Sequence, residues 1–262
     1  MLRTEGLTKR FGGITAVDNV DFELGSDELC SLIGPNGAGK TTFFNLLTGA
    51  LTPSDGTISF KGQDITELSP QGTATLGIHR SFQITNIFPN STVLENVRIA
   101  SQAHDAGNSW SFWRNVNHFD EHLEESHQIL ERVDLADRAD EEAKFLSHGE
   151  KRKLEVGIAL AGDPEILLLD EPNAGVSSES VGQIIDLIED VARDHSVLLV
   201  EHNMDIVMSV SDRIVVLNQG SVIANDVPDN VRGDPKVQEA YLGGYDGGVT
   251  EESEASGGEG LA

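Results

Sequence analysis

The chain has 262 residues, 38% of them hydrophobic and 5% aromatic, with 44 Asp and Glu against 18 Lys and Arg, a net charge of −26. That length buries most of its apolar surface in one large domain or two small ones without covalent staples. The charge excludes a nucleic-acid partner or an anionic-lipid binder, since both demand a basic face.

The acidic excess runs along the whole chain. It suits a halophile, in whose cytoplasm molar salt cuts the Debye length to about 3 Å and screens self-repulsion. Cys30 is the only cysteine, so no internal disulfide forms. Its place in an apolar run marks a small buried hydrophobe in a reducing compartment. Residues 1–10 are polar and mixed in charge, unlike a signal peptide. No apolar run nears the ~20 residues of a spanning helix, so any membrane pore must come from another chain.

In chain order, the first thirty residues read as short strands between Gly-rich turns, with Val17, Val20, Phe22 and Leu24 in a strand or hairpin. A strand at 29–33 runs into a Gly-rich loop and a helix at 41–47. A turn at 53–56 opens a strand at 57–60. From about 90 to 145 helical spacing takes over, with Val93, Leu94 and Val97 on one stripe and Ile129, Leu130 and Val133 on another. An irregular patch at 104–118 holds Trp110, Phe112 and Trp113, either the core of a helical subdomain or a contact for a membrane subunit. Then come a helix at 147–161, a buried strand at 166–169, a helix at 181–191, a buried strand at 197–200 and a helix at 204–210. Strands at 214–217 and 221–224 flank the turn Asn218-Gln219-Gly220, and a last helix covers 235–242. Residues 244–262 are Gly, Ser and Glu-rich and read as a disordered acidic tail.

Gly34-Pro35-Asn36-Gly37-Ala38-Gly39-Lys40-Thr41 matches G-x-x-x-x-G-K-[ST] in full, with a strand before it and a helix after, as such a loop requires. Glycines let successive backbone amides turn inward around phosphate oxygens, and the next helix aims its positive end at them. Lys40 brings a charge to the β- and γ-phosphates, and the Thr41 hydroxyl can ligate Mg²⁺. Locally this nest and one cation outweigh the distant acidic field.

Ile166-Leu167-Leu168-Leu169-Asp170-Glu171 is an apolar strand ending in two carboxylates. At such a strand end Asp170 holds Mg²⁺ through water, and Glu171 orients or deprotonates the attacking water.

A phosphate loop alone serves kinases, GTPases and helicases equally. Leu146-Ser147-His148-Gly149-Glu150 resembles the LSGGQ signature of the ABC ATPases, and it precedes the Asp170 strand. Ser147 and Glu150 also spell a capping box, and Gly149 leaves room for a phosphate at the helix start. The resemblance, over about residues 2–243, implies an α/β P-loop NTPase fold: a mostly parallel sheet flanked by helices, an N-terminal antiparallel β subdomain and a helical subdomain inserted at about 90–160. It implies ATP and Mg²⁺ as ligands, with nucleotide contacts from Phe11 (stacked on adenine), Val17, the loop 34–41, Thr42 and, across a dimer, the segment 147–150 of the other copy. It gives Gln83, in Arg80-Ser81-Phe82-Gln83, contact with Mg²⁺ and water, and His202 contact with the γ-phosphate. Two departures stand out. His148 and Glu150 replace a glycine and a glutamine, and Asn173-Ala174-Gly175-Val176-Ser177 lacks an aspartate common in that loop.

Within the superfamily the chain is most similar to the ATPase subunits of branched-chain amino acid importers, on Phe11-Gly12-Gly13-Ile14-Thr15-Ala16-Val17, Arg80-Ser81-Phe82-Gln83, Lys151-Arg152-Lys153-Leu154-Glu155, Glu201-His202-Asn203-Met204 and Tyr241-Leu242-Gly243. This implies transmembrane permease subunits, a homodimer or a heterodimer with a second ATPase subunit, an indirectly coupled substrate-binding protein, and a peripheral place on the cytoplasmic face of the membrane. An exporter ATPase for lipid-linked substrates and a non-transport ABC ATPase are the alternatives. The latter usually carries long coiled-coil insertions or two cassettes in one chain, and neither is visible.

Overall fold

The computed structural model describes residues 1–81, 87–106 and 118–242. In chain order they form β1 (Leu2–Phe11), β2 (Ile14–Leu24), β3 (Leu29–Ile33), α1 (Lys40–Leu47), β4 (Asp55–Phe60), β5 (Gln63–Asp64), α2 (Pro70–Thr75) and β6 (Ile78–Ser81). Next come α3 (Val93–Ala106), α4 (His118–Arg132), α5 (His148–Leu160), β7 (Ile166–Asp170), α6 (Ser178–Val191), β8 (Ser196–Val200) and α7 (Met204–Val210). β9 (Arg213–Asn218), β10 (Ser221–Asp226), α8 (Pro228–Gly233) and α9 (Pro235–Leu242) close the described chain.

Two sheets result. One is antiparallel, in the order β2-β1-β4-β5. The other runs β10-β9-β3-β8-β7-β6, parallel from β9 to β6, with β10 returning antiparallel. Strands β3, β7 and β8 are buried at every position, which is why they read as unbroken apolar runs: helices or sheet cover both faces.

Alternation along these strands divides the core. Cys30, Leu32, Leu168 and Leu198 point toward Phe43, Phe44 and the antiparallel sheet. Leu167, Leu169, Val197 and Leu199 point toward α5, α6 and the helices before them. A third cluster sets Ile33, Ile214 and Val216 against Val207, Val231 and Val237.

Register then builds the site. Leu32 of β3 pairs with Val200 of β8, and Val200 pairs with Asp170 of β7. The three strands therefore end level, and the loops that leave them emerge at one carboxyl edge of the sheet. Open parallel sheets place their ligands there.

The short β6 carries no sequence pattern that marks it in advance, whereas α2 opens on Ser69 and Pro70 and α8 on Pro228, start signals too brief in their helices to stand out. Gln83, the aromatic patch Trp110–Trp113 and the tail at 244–262 lie outside the described residues. Among the described residues no helix is long and apolar enough to cross a membrane.

Candidate active site

The loop after β3 wraps back on itself. Ala38 N donates to Pro35 O at 3.1 Å, and Phe43 N reaches Gly39 O at 2.9 Å to open α1. Gly39 sits at φ 105°, where a Cβ would lie 2.3 Å from the Ala16 carbonyl oxygen. The helix start has no side-chain cap and no acidic residue in its first turn. Its orphan amides, with the positive end of the helix, are left for an anion. The β9–β10 turn braces the loop from behind: Gly220 N donates to Ala38 O and Asp18 N to Gly220 O, both at 2.9 Å.

The Lys40 ammonium folds onto the loop, donating to Gly34 O at 2.5 Å and Pro35 O at 3.2 Å. Burial lowers its pKa from the ordinary lysine value, against the opposing pull of Glu171 and Asp170. Lys40 is thus electrostatically within reach of both carboxylates. Pro35 is half-buried, Asn36 and Gly37 are exposed, and Thr41 is exposed beside the half-buried Thr42.

Asp170 ends β7, only 3% exposed. Its Oδ2 accepts from Arg80 Nη2 at 2.6 Å, and Arg80 Nη1 donates to Asn45 Oδ1 of α1 at 2.6 Å. Glu171 comes next at φ 48°, its amide bonded to Val200 O at 2.9 Å. Positive φ on a non-glycine residue costs about 1–3 kcal/mol and collects at functional sites. Here it turns the chain sharply as it leaves the strand. A hydroxyl from Thr41 and a carboxylate from Asp170 are hard oxygen donors, at an edge with an uncapped helix and a lysine. That donor set fits Mg²⁺ bound with a phosphate.

After β8 comes Glu201, 1% exposed, then His202, 67% exposed. Glu201 Oε1 accepts from Asn173 N at 3.3 Å and Asn173 Nδ2 at 3.1 Å, while Oε2 accepts from His202 N at 3.2 Å. The buried carboxylate thus ties the loop after Glu171 to the histidine.

The capping box forms. Ser147 Oγ accepts from Glu150 N at 3.3 Å and Glu150 Oε2 accepts from Ser147 N at 2.8 Å. Arg138 Nη1 lies 3.4 Å from Glu150 Oε1. Burial pushes the Glu150 carboxyl up, but the Ser147 bonds and Arg138 outweigh it and hold the carboxyl below its usual range. Ser147 and His148 are exposed, and Gly149 is buried against Ser180 and Val176. The signature and the loop that lacks an aspartate lie side by side: a Cβ on Gly175 would lie 2.9 Å from His148 Nε2.

At the far end Phe11 closes β1, 47% exposed, with Lys9 Nζ 5.3 Å from its ring centre. Val17 faces inward, its side chain wholly buried in the core below the hairpin.

No sequence motif singles out Asn45 or Lys9, and Arg80 and Glu201 share motif segments with Gln83 and His202 without a role of their own there. Arg80 lies in a four-residue strand with no pattern of its own. In sequence its segment draws notice for its likeness to the importer ATPase subunits and for Gln83, which lies outside the described residues.

Comparison with known proteins agrees with this geometry. Residues 17–174 match the family model described as ABC transporter, and residues 221–247 match the one described as branched-chain amino acid ATP-binding cassette transporter. The chain is 41% identical over 249 residues to the high-affinity branched-chain amino acid transport ATP-binding protein LivG of Escherichia coli K12, covering 93% of this chain and 98% of that one. It is 36% identical to the probable LivG of Archaeoglobus fulgidus, covering 94% and 96%. Among solved structures, the ADP conformation of MJ1267, an ATP-binding cassette of an ABC transporter, superposes with a TM-score of 0.81 at 33% identity, covering 93% and 98%. With its phosphate loop, paired strand-end carboxylates and capped signature helix, the chain belongs to the ABC transporter family of ATP-binding cassettes.

Proposed function

We propose that this cassette is the ATP-hydrolysing subunit of an importer of branched-chain amino acids. It works as a pair of cassettes docked on transmembrane permease subunits at the cytoplasmic face of the membrane, served by a substrate-binding protein outside. The observation that carries the hydrolytic part is the emergence of Lys40, Asp170–Glu171 and His202 at one carboxyl edge of the parallel sheet. The cargo rests on relatives named for branched-chain amino acid transport and on the carboxyl-terminal match at 221–247.

Each residue has a role in this reading. The loop amides from Gly34 to Thr42 and the Lys40 ammonium hold the β- and γ-phosphates and stabilise charge developing on them. Thr41, Asp170 and Gln83 would hold Mg²⁺, which would draw charge from the phosphate oxygens. Glu171 orients the attacking water and accepts its proton. His202 supports the γ-phosphate, and Phe11 stacks on the base. The exposed Ser147 and His148 face the triphosphate of the other copy, with Gly149 packed beneath them against Ser180 and Val176. Glu150 is engaged with its own helix cap and Arg138, so its charge is partly neutralised before any phosphate arrives. The helices of the insertion carry the movement to the permease.

Purified Glu171→Gln protein tests the chemistry. It should keep ATP affinity, lose phosphate release by about a hundredfold or more, and run as a dimer in ATP by light scattering. Undiminished phosphate release removes Glu171 from its role. Uptake of labelled leucine into vesicles holding the whole assembly, lost with the same substitution, tests the cargo.

A further inference from the structure

The Arg80 guanidinium joins three elements of the site. It leaves β6, donates to Asp170 Oδ2 at the end of β7 and to Asn45 Oδ1 on the helix after the phosphate loop, and lies 5.6 Å from the centre of the Phe44 ring. Its side chain is 14% exposed. Two planar donors on two fixed acceptors, with an aromatic ring beside them, leave it little freedom to rotate. Its strand is locked in turn: Arg80 pairs with Leu168 and Ser81 with Leu169 in parallel register.

One Asp170 oxygen is thereby held in place. A carboxylate at 3% exposure with no cation beside it would be costly to bury, and Arg80 supplies that charge at 2.6 Å. With Oδ2 bonded, the carboxylate cannot spin about its Cβ–Cγ bond, and Oδ1 carries no hydrogen bond to Arg80. We propose that Arg80 is a positioning residue for the metal: it fixes Asp170 by Oδ2 and leaves Oδ1 to hold, through water, the Mg²⁺ of the bound nucleotide. Through Asn45 the same guanidinium ties the carboxylate to α1, whose first turn carries Thr41, the other hard donor. Arg80 touches neither nucleotide nor metal. It holds the spacing between the two donors. The role rests on the proposed assignment of Asp170 as the metal's carboxylate.

Partners that orient a metal's carboxylates typically cost about tenfold to a hundredfold in metal affinity when removed. The test is titration of Mn²⁺, read by electron paramagnetic resonance, into full-length protein saturated with ADP, together with ADP affinity in EDTA. Arg80→Gln should weaken Mn²⁺ by that factor and leave ADP affinity in EDTA unchanged. Arg80→Lys should restore part of the loss, since one ammonium cannot bridge Asn45 and Asp170 in plane. Asn45→Ala keeps the buried charge and frees the fork, so it should weaken Mn²⁺ by a smaller factor. It decides the matter if Arg80→Gln fails to fold. Mn²⁺ binding that is equal or tighter in Arg80→Gln, or untouched in Asn45→Ala, overturns the role while leaving Asp170 at the metal. No ADP-dependent Mn²⁺ signal in the unsubstituted protein overturns the metal assignment and this role together.

Discussion

A methyl group on Gly39 would meet the Ala16 carbonyl oxygen at 2.3 Å, from a backbone held at φ 105°. The obstacle is main chain belonging to the β1–β2 layer, so it does not swing aside as a flexible side chain does. Gly39→Ala should therefore move the loop that presents Lys40. A strained backbone of this kind costs about 1–3 kcal/mol, and about 1.4 kcal/mol is tenfold in affinity. ATP affinity measured by calorimetry should fall about fivefold to a hundredfold while the protein still folds. An unchanged dissociation constant shows that the loop re-forms without a glycine there. Gly175 is a different case, because its empty space is filled by the His148 ring. The histidine in the signature and the glycine in the later loop are one packing solution, and neither residue alone shows this in the sequence.

The staple between β3 and β9 has a pH signature. Arg213, the first residue of β9, donates from Nε to Glu28 Oε1 at 2.6 Å, from Nη2 to Glu23 O at 2.5 Å and from Nη1 to Asn225 Oδ1 at 2.6 Å. Burial pushes the Glu28 carboxyl up, but Arg213 and the Gly25 amide prevail and hold it below the usual carboxylate range. A folded pKa below the unfolded one adds stability that is fully present above about pH 4.3, the ordinary glutamate value. That stability is lost as pH falls through the lower folded value. Arg213→Met should cost about 2 kcal/mol near neutrality and begin acid unfolding at higher pH, monitored by circular dichroism at fixed salt. Coincident acid transitions would show that the pair adds no stability. Such staples are not legible in sequence, because Glu28 and Arg213 lie far apart along the chain. The elements they join are legible: β3, β7 and β8 announce themselves as apolar runs, and α5 by its Ser147–Glu150 box. β6 does not. Ile78-His79-Arg80-Ser81 owes its strand to pairing with β7, and only that pairing brings Arg80 to Asp170. Val17 reads as a strand residue, but which way it faces depends on the sheet beneath it.

At the scale of the whole molecule the net charge of −26 outweighs any single ion pair. Repulsion among surface carboxylates opposes compaction, and salt relieves it. Melting temperature and ATP turnover should both rise as KCl is raised from about 0.1 M to about 1 M, where the Debye length falls to about 3 Å. A flat melting curve over that range removes the high-salt reading. Against this diffuse field stands one local joint. Gly220 donates its amide to Ala38 O of the phosphate loop and accepts at its carbonyl from Asp18 N of the antiparallel sheet. A single residue thus rivets the two sheets beside the phosphate loop. A shift of the phosphate loop at Ala38 therefore has little slack to vanish into between the two layers.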